Sequence, residues 1–183
     1  MDQELRKVIE ACCRHERWAQ ERLYKQYAGL LFAICLRYAK NRMDAQDVLQ
    51  EVFVRIYTHL KSYQFDGSFE GWLRRIAVNT SITYYRKAVK KALERDLDDG
   101  VFEVSDTAMN VLGNFAMADM MKCIEQLPLG YKTVFNLYVI EGYKHKEIAD
   151  ILGVDINTSK SQLSRAKVQV QKELERLNQN TGV

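Results

Sequence analysis

A single proline, Pro128, interrupts a chain of 183 residues that holds only nine glycines. Proline breaks helices and glycine loosens them, so a chain this poor in both is free to run helical over long stretches. No segment sustains the alternation of Val, Ile or Thr with polar residues that marks a strand. Apolar residues recur instead at intervals of three and four. The expected fold class is all-α: two small helical domains joined by a flexible acidic linker, the second a helix-turn-helix.

The elements follow from that spacing. Leu23, Tyr27, Leu30, Leu31, Ile34 and Tyr38 predict a long helix near Ala19–Ala39. Asn41-Arg-Met is read as a turn, with Asp44 as N-cap of the next helix and Asp47 three residues on in a capping-box arrangement. That helix buries Leu49, Val52, Phe53, Ile56 and Leu60 and turns Asp47, Gln50, Glu51 and Arg55 outward. A loop spans Lys61 to Ser68. Ser68 caps a further helix to about Lys91, with Trp72, Leu73, Ile76, Ala77 and Ile82 inward. Acidic residues then crowd the chain (Glu94, Asp96, Asp98, Asp99, Glu103, Asp106) and periodicity disappears. The expected division is residues 1–92 as the first domain, 93–114 as linker and 115–183 as the second domain.

In the second domain, a helix ends before Leu127-Pro128, because proline disfavours helix in the preceding residue. Another runs from about Leu129 to Ile140, closed by Gly142 in a left-handed conformation. A short helix over Lys144–Leu152 and the turn Gly153-Val154-Asp155 lead into a last helix carrying Leu163, Ala166, Val170, Leu174 and Leu177. Short helix, tight glycine turn and longer basic helix outline a helix-turn-helix. Ala149 is small enough for a close crossing, and Asp155 caps the last helix. Its first turns present Asn157, Thr158, Ser159, Lys160, Gln162, Ser164 and Arg165 to base edges, while Lys160, Arg165 and Lys167 suit phosphates.

Charge is segregated more than it is abundant. The net charge is only +3, yet no acidic residue occurs from Gly71 through Lys91, directly after the helix with the acidic face. Opposite signs on neighbouring helices point to one face for a basic protein and another for nucleic acid. Tyr63, Phe65 and Phe69 precede Arg74, Arg75, Arg86, Lys87, Lys90 and Lys91. Rings that stack on bases and cations that follow the backbone form the usual grip on single strands. By its spacing Trp72 belongs to the apolar stripe, and Phe65 divides evenly between the core and the nucleic acid.

Several classes are excluded or disfavoured. Cys12, Cys13, Cys35 and Cys123 form no C-x-x-C pair and no His joins them, so no metal and no cofactor are expected. No glycine-rich phosphate loop and no nucleophile beside a base point to an enzyme. The first residues lack the apolar core of a signal peptide, and no apolar run approaches the ~20 residues of a membrane span. The expectation is a cytoplasmic protein with free thiols and no direct membrane insertion.

At these residues the chain resembles the extracytoplasmic-function (ECF) sigma factors of bacterial RNA polymerase. The likeness is carried by Asp44-Ala-Gln-Asp-Val-Leu-Gln-Glu-Val-Phe, Trp72-Leu-Arg-Arg-Ile-Ala-Val-Asn, Leu127-Pro128 and Glu141-Gly-Tyr-Lys-His-Lys-Glu-Ile-Ala-Asp-Ile-Leu-Gly. The resemblance implies that the helix bearing Asp47, Gln50, Glu51 and Arg55 docks on the coiled coil of the polymerase's largest subunit. It implies that the Lys61–Ser68 loop, with Tyr63 and Phe65, captures a flipped base of the minus-ten element. Arg74, Arg75, Asn79, Arg86 and Lys87 would hold the melting DNA, and the linker would thread toward the active-site cleft. The helix-turn-helix would read the minus-thirty-five element of promoter DNA, and an anti-sigma factor is an expected partner.

The family pattern is broken at three places. Lys144 stands where a Ser or Thr commonly caps the first helix of the motif. Ser159 replaces a buried apolar residue, which is expected to loosen packing beneath the recognition helix, and Gln162 replaces a common arginine. The alternative is a stand-alone helix-turn-helix regulator whose first domain binds another partner.

Overall fold

The computed structural model describes residues 3–93 and 117–181. The chain divides into two compact units, residues 1–91 and 92–183, and among the described residues every regular element is helical. The acidic linker expected at 93–114 lies, apart from Leu93, outside the described residues.

The first unit comprises α1 (Gln3–Cys13), α2 (Arg17–Tyr38), α3 (Arg42–His59), a 3-10 turn (Leu60–Ser62) and α4 (Phe69–Leu93). Leu23, Leu31, Ile34, Ile56, Leu60 and Leu73 are essentially removed from solvent. Each such side chain contributes about 1.5–3 kcal/mol of burial. The Leu23-to-Tyr38 stripe therefore forms the core expected of it, except that Leu30 is only half-buried. Ile76 is half-buried as well, while Ala77 and Ile82 are buried.

One local expectation is corrected and one element is added. The cap of α3 is Asn41, not Asp44: the Asn41 side chain accepts the Asp44 N–H at 2.9 Å, and the helix begins at Arg42. Asn41 and Asp44 both have suitable side chains, and the earlier one nucleates the first turn. The element missing from the expectations is α1, although Leu5, Val8, Ile9 and Cys12 fall at helical spacing. Its Val8, Ile9, Ala11 and Cys12 are buried, and Glu4 bridges to Arg22 of α2 at 2.6 Å.

The second unit comprises α5 (Met117–Glu125), α6 (Leu129–Phe135) with a wide π-type turn over Asn136–Ile140, α7 (His145–Leu152) and α8 (Ile156–Thr181). The helix expected from Leu129 to Ile140 is thus present, its last turn widened. Gly142 (φ 77°) and Gly153 (φ 69°) both take left-handed conformations, which only glycine adopts without a Cβ clash. Leu163, Ala166, Val170 and Leu174 form the buried stripe of α8. Ile124, Val134, Leu137 and Ile148 complete the core of this unit.

Candidate nucleic-acid interface

In the first unit, α3 turns Asp47, Gln50 and Glu51 to solvent and leaves Arg55 partly exposed. Arg55 Nε donates to Glu51 Oε1 at 2.8 Å. Exposed ion pairs of this spacing contribute only a few tenths of a kcal/mol, so Glu51 is readily released to another cation. Val54 stands 60% exposed on the same face. Sequence reasoning left it out, although an apolar residue one turn from both Gln50 and Thr58 and outside the buried set is visible in the spacing.

A shallow cleft of about 210 Å³ separates this face from α4, with Asp47, Glu51, Arg55, Thr83, Tyr84 and Lys87 around it. Burial, helped by a hydrogen bond with Asp44 and by negative charge nearby, pushes the Tyr84 hydroxyl up to about 12. Lys87, expected among the residues that hold melting DNA, is therefore placed beside the acidic face of α3.

At the head of α4 the loop is tightly built. Ser68 Oγ accepts the Gly71 N–H at 3.2 Å, which makes Ser68 the helix cap expected of it. The Tyr63 hydroxyl donates to the Gly67 carbonyl at 3.0 Å, while Phe65 (φ 61°) and Gly67 (φ 97°) both lie in the left-handed region. Tyr63 packs against Phe69 at 5.1 Å, Trp72 at 5.5 Å and Phe65 at 5.2 Å between ring centres.

These contacts redistribute the expected roles. Tyr63 is only 6% exposed, so it braces the loop and offers no open stacking face. Phe65 is half-buried and turned toward α1, where the Arg6 guanidinium lies 4.9 Å from its ring centre. Trp72, expected in the core, is half-buried and joins the wall of a hollow of about 540 Å³. Tyr63, Gln64, Asp66, Ser68 and Arg75 line the rest. The wall thus combines a flat indole with an anionic acceptor, a cationic donor and an amide that does both. This is the chemistry that accepts a planar heteroaromatic ring.

From the hollow, Arg75, Asn79 and Arg86 run along one side of α4 at intervals of four and seven residues, all exposed. Arg74 lies on another side and is occupied by Glu70 at 2.8 Å.

In the second unit, the turn between α7 and α8 is tied by Gly153 N–H and Val154 N–H, both donating to the Ala149 carbonyl (2.8 and 3.1 Å). Asp155 Oδ1 accepts the Asn157 N–H at 2.7 Å, capping α8 as expected. At the start of α7, the Lys144 N–H donates to Glu147 Oε2 at 2.7 Å. A lysine side chain has no acceptor, so the reciprocal half of a capping box is missing.

The residues expected on the reading face of α8 separate into groups. Asn157 and Lys160 are exposed, and Thr158, Ser164 and Lys167 are partly so. Gln162 lies over α6, where a Cβ on Gly130 would meet its Nε2 at 3.5 Å. Arg165 Nη1 points to the Tyr131 hydroxyl at 3.4 Å. Ser159 is a correction. It has no exposed surface and its Oγ sits 2.9 Å from His145 Nδ1, so it faces the interior and offers nothing to DNA. Ser161, absent from the expected set, is partly exposed between Lys160 and Ser164.

No group of three or more His, Cys, Asp or Glu side chains is arranged to hold a metal among the described residues. No described helix is long and apolar enough to cross a membrane.

The sigma-70 region 2 family model matches residues 23–91, and the sigma-70 region 4 model matches residues 117–170. The RNA polymerase sigma factor SigV of Bacillus subtilis is 30% identical over 146 residues, covering 78% of this chain and 85% of that protein. The RNA polymerase sigma-H factor of Pseudomonas aeruginosa is 27% identical and covered to 93% on both sides. The ECF RNA polymerase sigma factor SigE of Mycolicibacterium smegmatis is 29% identical over 88% of this chain, which spans 64% of that relative's length. With region 2 carrying the hollow and the acidic face, and region 4 carrying the helix-turn-helix, the chain belongs to the ECF sigma factors of bacterial RNA polymerase.

Proposed function

We propose that the two units divide promoter recognition between them while the acidic face of α3 holds the polymerase. Asp47, Gln50, Glu51 and Val54 form the docking surface on core RNA polymerase, with Arg55 releasing Glu51 as the complex forms. The hollow at Trp72 and Arg75 takes one base extruded from the minus-ten element, and Arg75, Asn79 and Arg86 follow the separated strand. Extruding a base costs a few kcal/mol in lost stacking and pairing. Closing the indole and polar groups around that base offsets the cost.

The helix-turn-helix reads the minus-thirty-five element, with Asn157, Lys160, Ser161 and Ser164 toward base edges and Lys167 toward phosphate. Phosphoryl transfer is the polymerase's own chemistry, and this chain acts in the cytoplasm as a non-enzymatic specificity subunit. An anti-sigma protein that masks the docking face is part of the same reading.

The supporting observation is the hollow at the head of α4, continued along that helix by a row of exposed polar and cationic side chains. The test is transcription from a promoter library by core polymerase with and without the chain. Discrete start sites that require the chain are expected. Transcripts identical to those of core polymerase alone would overturn the reading.

A further inference from the structure

The serine beneath the recognition helix has a specific partner. Ser159 belongs to the first turn of α8, yet has no exposed surface, and its Oγ lies 2.9 Å from Nδ1 of His145, the first residue of α7. The His145 ring is in turn stacked on Tyr138 of the π-type turn, 4.6 Å between centres and 26° between planes. A buried hydroxyl left without a partner is costly, so the pair is strongly preferred over the serine alone. The stack fixes the ring plane and with it the direction of the bond.

This bond lies at the opposite end of α7 from the turn. There, Gly153 and Val154 bind the Ala149 carbonyl and form a hinge between the two helices. Apolar packing between α7 and α8, with Ile148, Ala149 and Leu163 buried, sets the crossing only coarsely, because apolar contacts are non-directional. A tie at the far end of α7, directional and polar, refines it. Asn157, Lys160 and Ser161 lie within two residues of Ser159 and face outward. One residue of a helix corresponds to about 100° of rotation, so even a small roll of α8 about Ser159 re-aims all three.

We propose that His145 is a positioning residue for the recognition helix and that it acts through Ser159. Together they set the angle at which α8 enters the major groove and hence its base preference. This rests on the assignment of the helix-turn-helix to the minus-thirty-five element. The loosening expected at Ser159 is thereby replaced by a polar tie, with His145 Nδ1 2.9 Å from the buried hydroxyl.

The test uses the full chain bound to core polymerase, presented with promoter duplexes randomised over the upstream element. Wild type is compared with His145→Phe, Ser159→Val and the double variant. Each single change leaves one side of the tie unmatched and is expected to weaken binding of the selected duplex about tenfold and broaden the selected bases. The double variant, apolar on both sides, is expected to return to within about threefold, the non-additive result that marks a direct pair.

Because a large side chain can simply disrupt folding, Ser159→Ala is read by nitrogen NMR of the His145 ring. A shift of the Nδ1 resonance, with the remaining helix-turn-helix signals in place, supports the tie, and an unmoved resonance overturns it. Single variants that keep wild-type affinity and base preference, or a double variant whose losses simply add, also overturn it. A wild-type complex that selects no upstream sequence overturns the minus-thirty-five assignment itself, which is a separate failure.

Discussion

Arg6 of α1 places its guanidinium 4.9 Å from the centre of the Phe65 ring, at the tip of the loop that precedes α4. The first helix, outside the span matched by the region 2 model, thus touches the loop assigned to strand capture. Phe65 holds a left-handed φ of 61°, a conformation that costs a non-glycine residue of order 1–2 kcal/mol. Contacts with Arg6 and Tyr63 stabilise the ring there.

Removing the cation is therefore expected to loosen the loop without touching the docking face. An exposed cation–π contact contributes about 0.5–1 kcal/mol, so Arg6→Ala should reduce strand opening about two- to fivefold. Permanganate reactivity of unpaired thymines would measure it, alongside unchanged affinity for core polymerase. Equal reactivity in wild type and variant would leave α1 without a part in opening.

The two neighbouring arginines of α4 should separate sharply. Arg75 lines the hollow, whereas Arg74 is held by Glu70 on another side of the helix. Hydrogen bonds to charged groups contribute about 1.5–3 kcal/mol, so Arg75→Ala should lower open-complex yield about tenfold or more. Arg74→Ala removes an exposed ion pair, and less than about threefold is expected. Equal losses would mean that the hollow is not the place where DNA is held.

The start of α3 gives a stability test. Asn41→Ala should cost about 1 kcal/mol in thermal or urea unfolding of the first unit, and Asn41→Asp should recover most of it. No loss on Asn41→Ala would return the cap to Asp44.

Alkaline pH should destabilise the first unit over a defined window. Burial raises Cys12 and Cys35 from 9.0 to about 11, and raises Tyr57 and Tyr84 from 10.0 to about 12. All four are raised in the folded state, so above pH 9 the unfolded chain releases protons that the folded chain retains. Stability is fully present below about pH 9 and falls as pH rises toward 12, the thiols acting first. Trp18 and Trp72 both report on this unit, so tryptophan fluorescence during unfolding would follow it. Replacing Cys12, Cys13 and Cys35, all three raised by burial, with alanine should move the onset from about pH 9 toward pH 10. Stability that stays constant to pH 12 would contradict the burial of these groups.

Much of the fold is legible in the residues themselves. Helical spacing locates the cores of α2, α3 and α8, and two glycines mark the turns at Gly142 and Gly153, because periodicity and backbone freedom are local properties. The loop before α4 is legible only as a loop. Phe65 turns toward Arg6 of α1, and Trp72 packs on Tyr63 and Phe69. These contacts are set by tertiary packing and by a left-handed backbone at Phe65 that no local spacing fixes. Ser159 fails as a DNA contact. Its burial is legible, since it stands four residues before Leu163 on the buried stripe and replaces an apolar residue of the family pattern. Its partner His145, fourteen residues earlier, is not.

The assignment as a polymerase subunit is tested most directly by size-exclusion chromatography of the full chain with bacterial core RNA polymerase at moderate salt. The chain is expected to co-elute with the core enzyme, and the Asp47→Lys/Glu51→Lys double variant to elute separately while keeping its helical circular dichroism. Separate elution of the wild-type chain at every salt concentration, or co-elution of the double variant at wild-type level, would contradict the account.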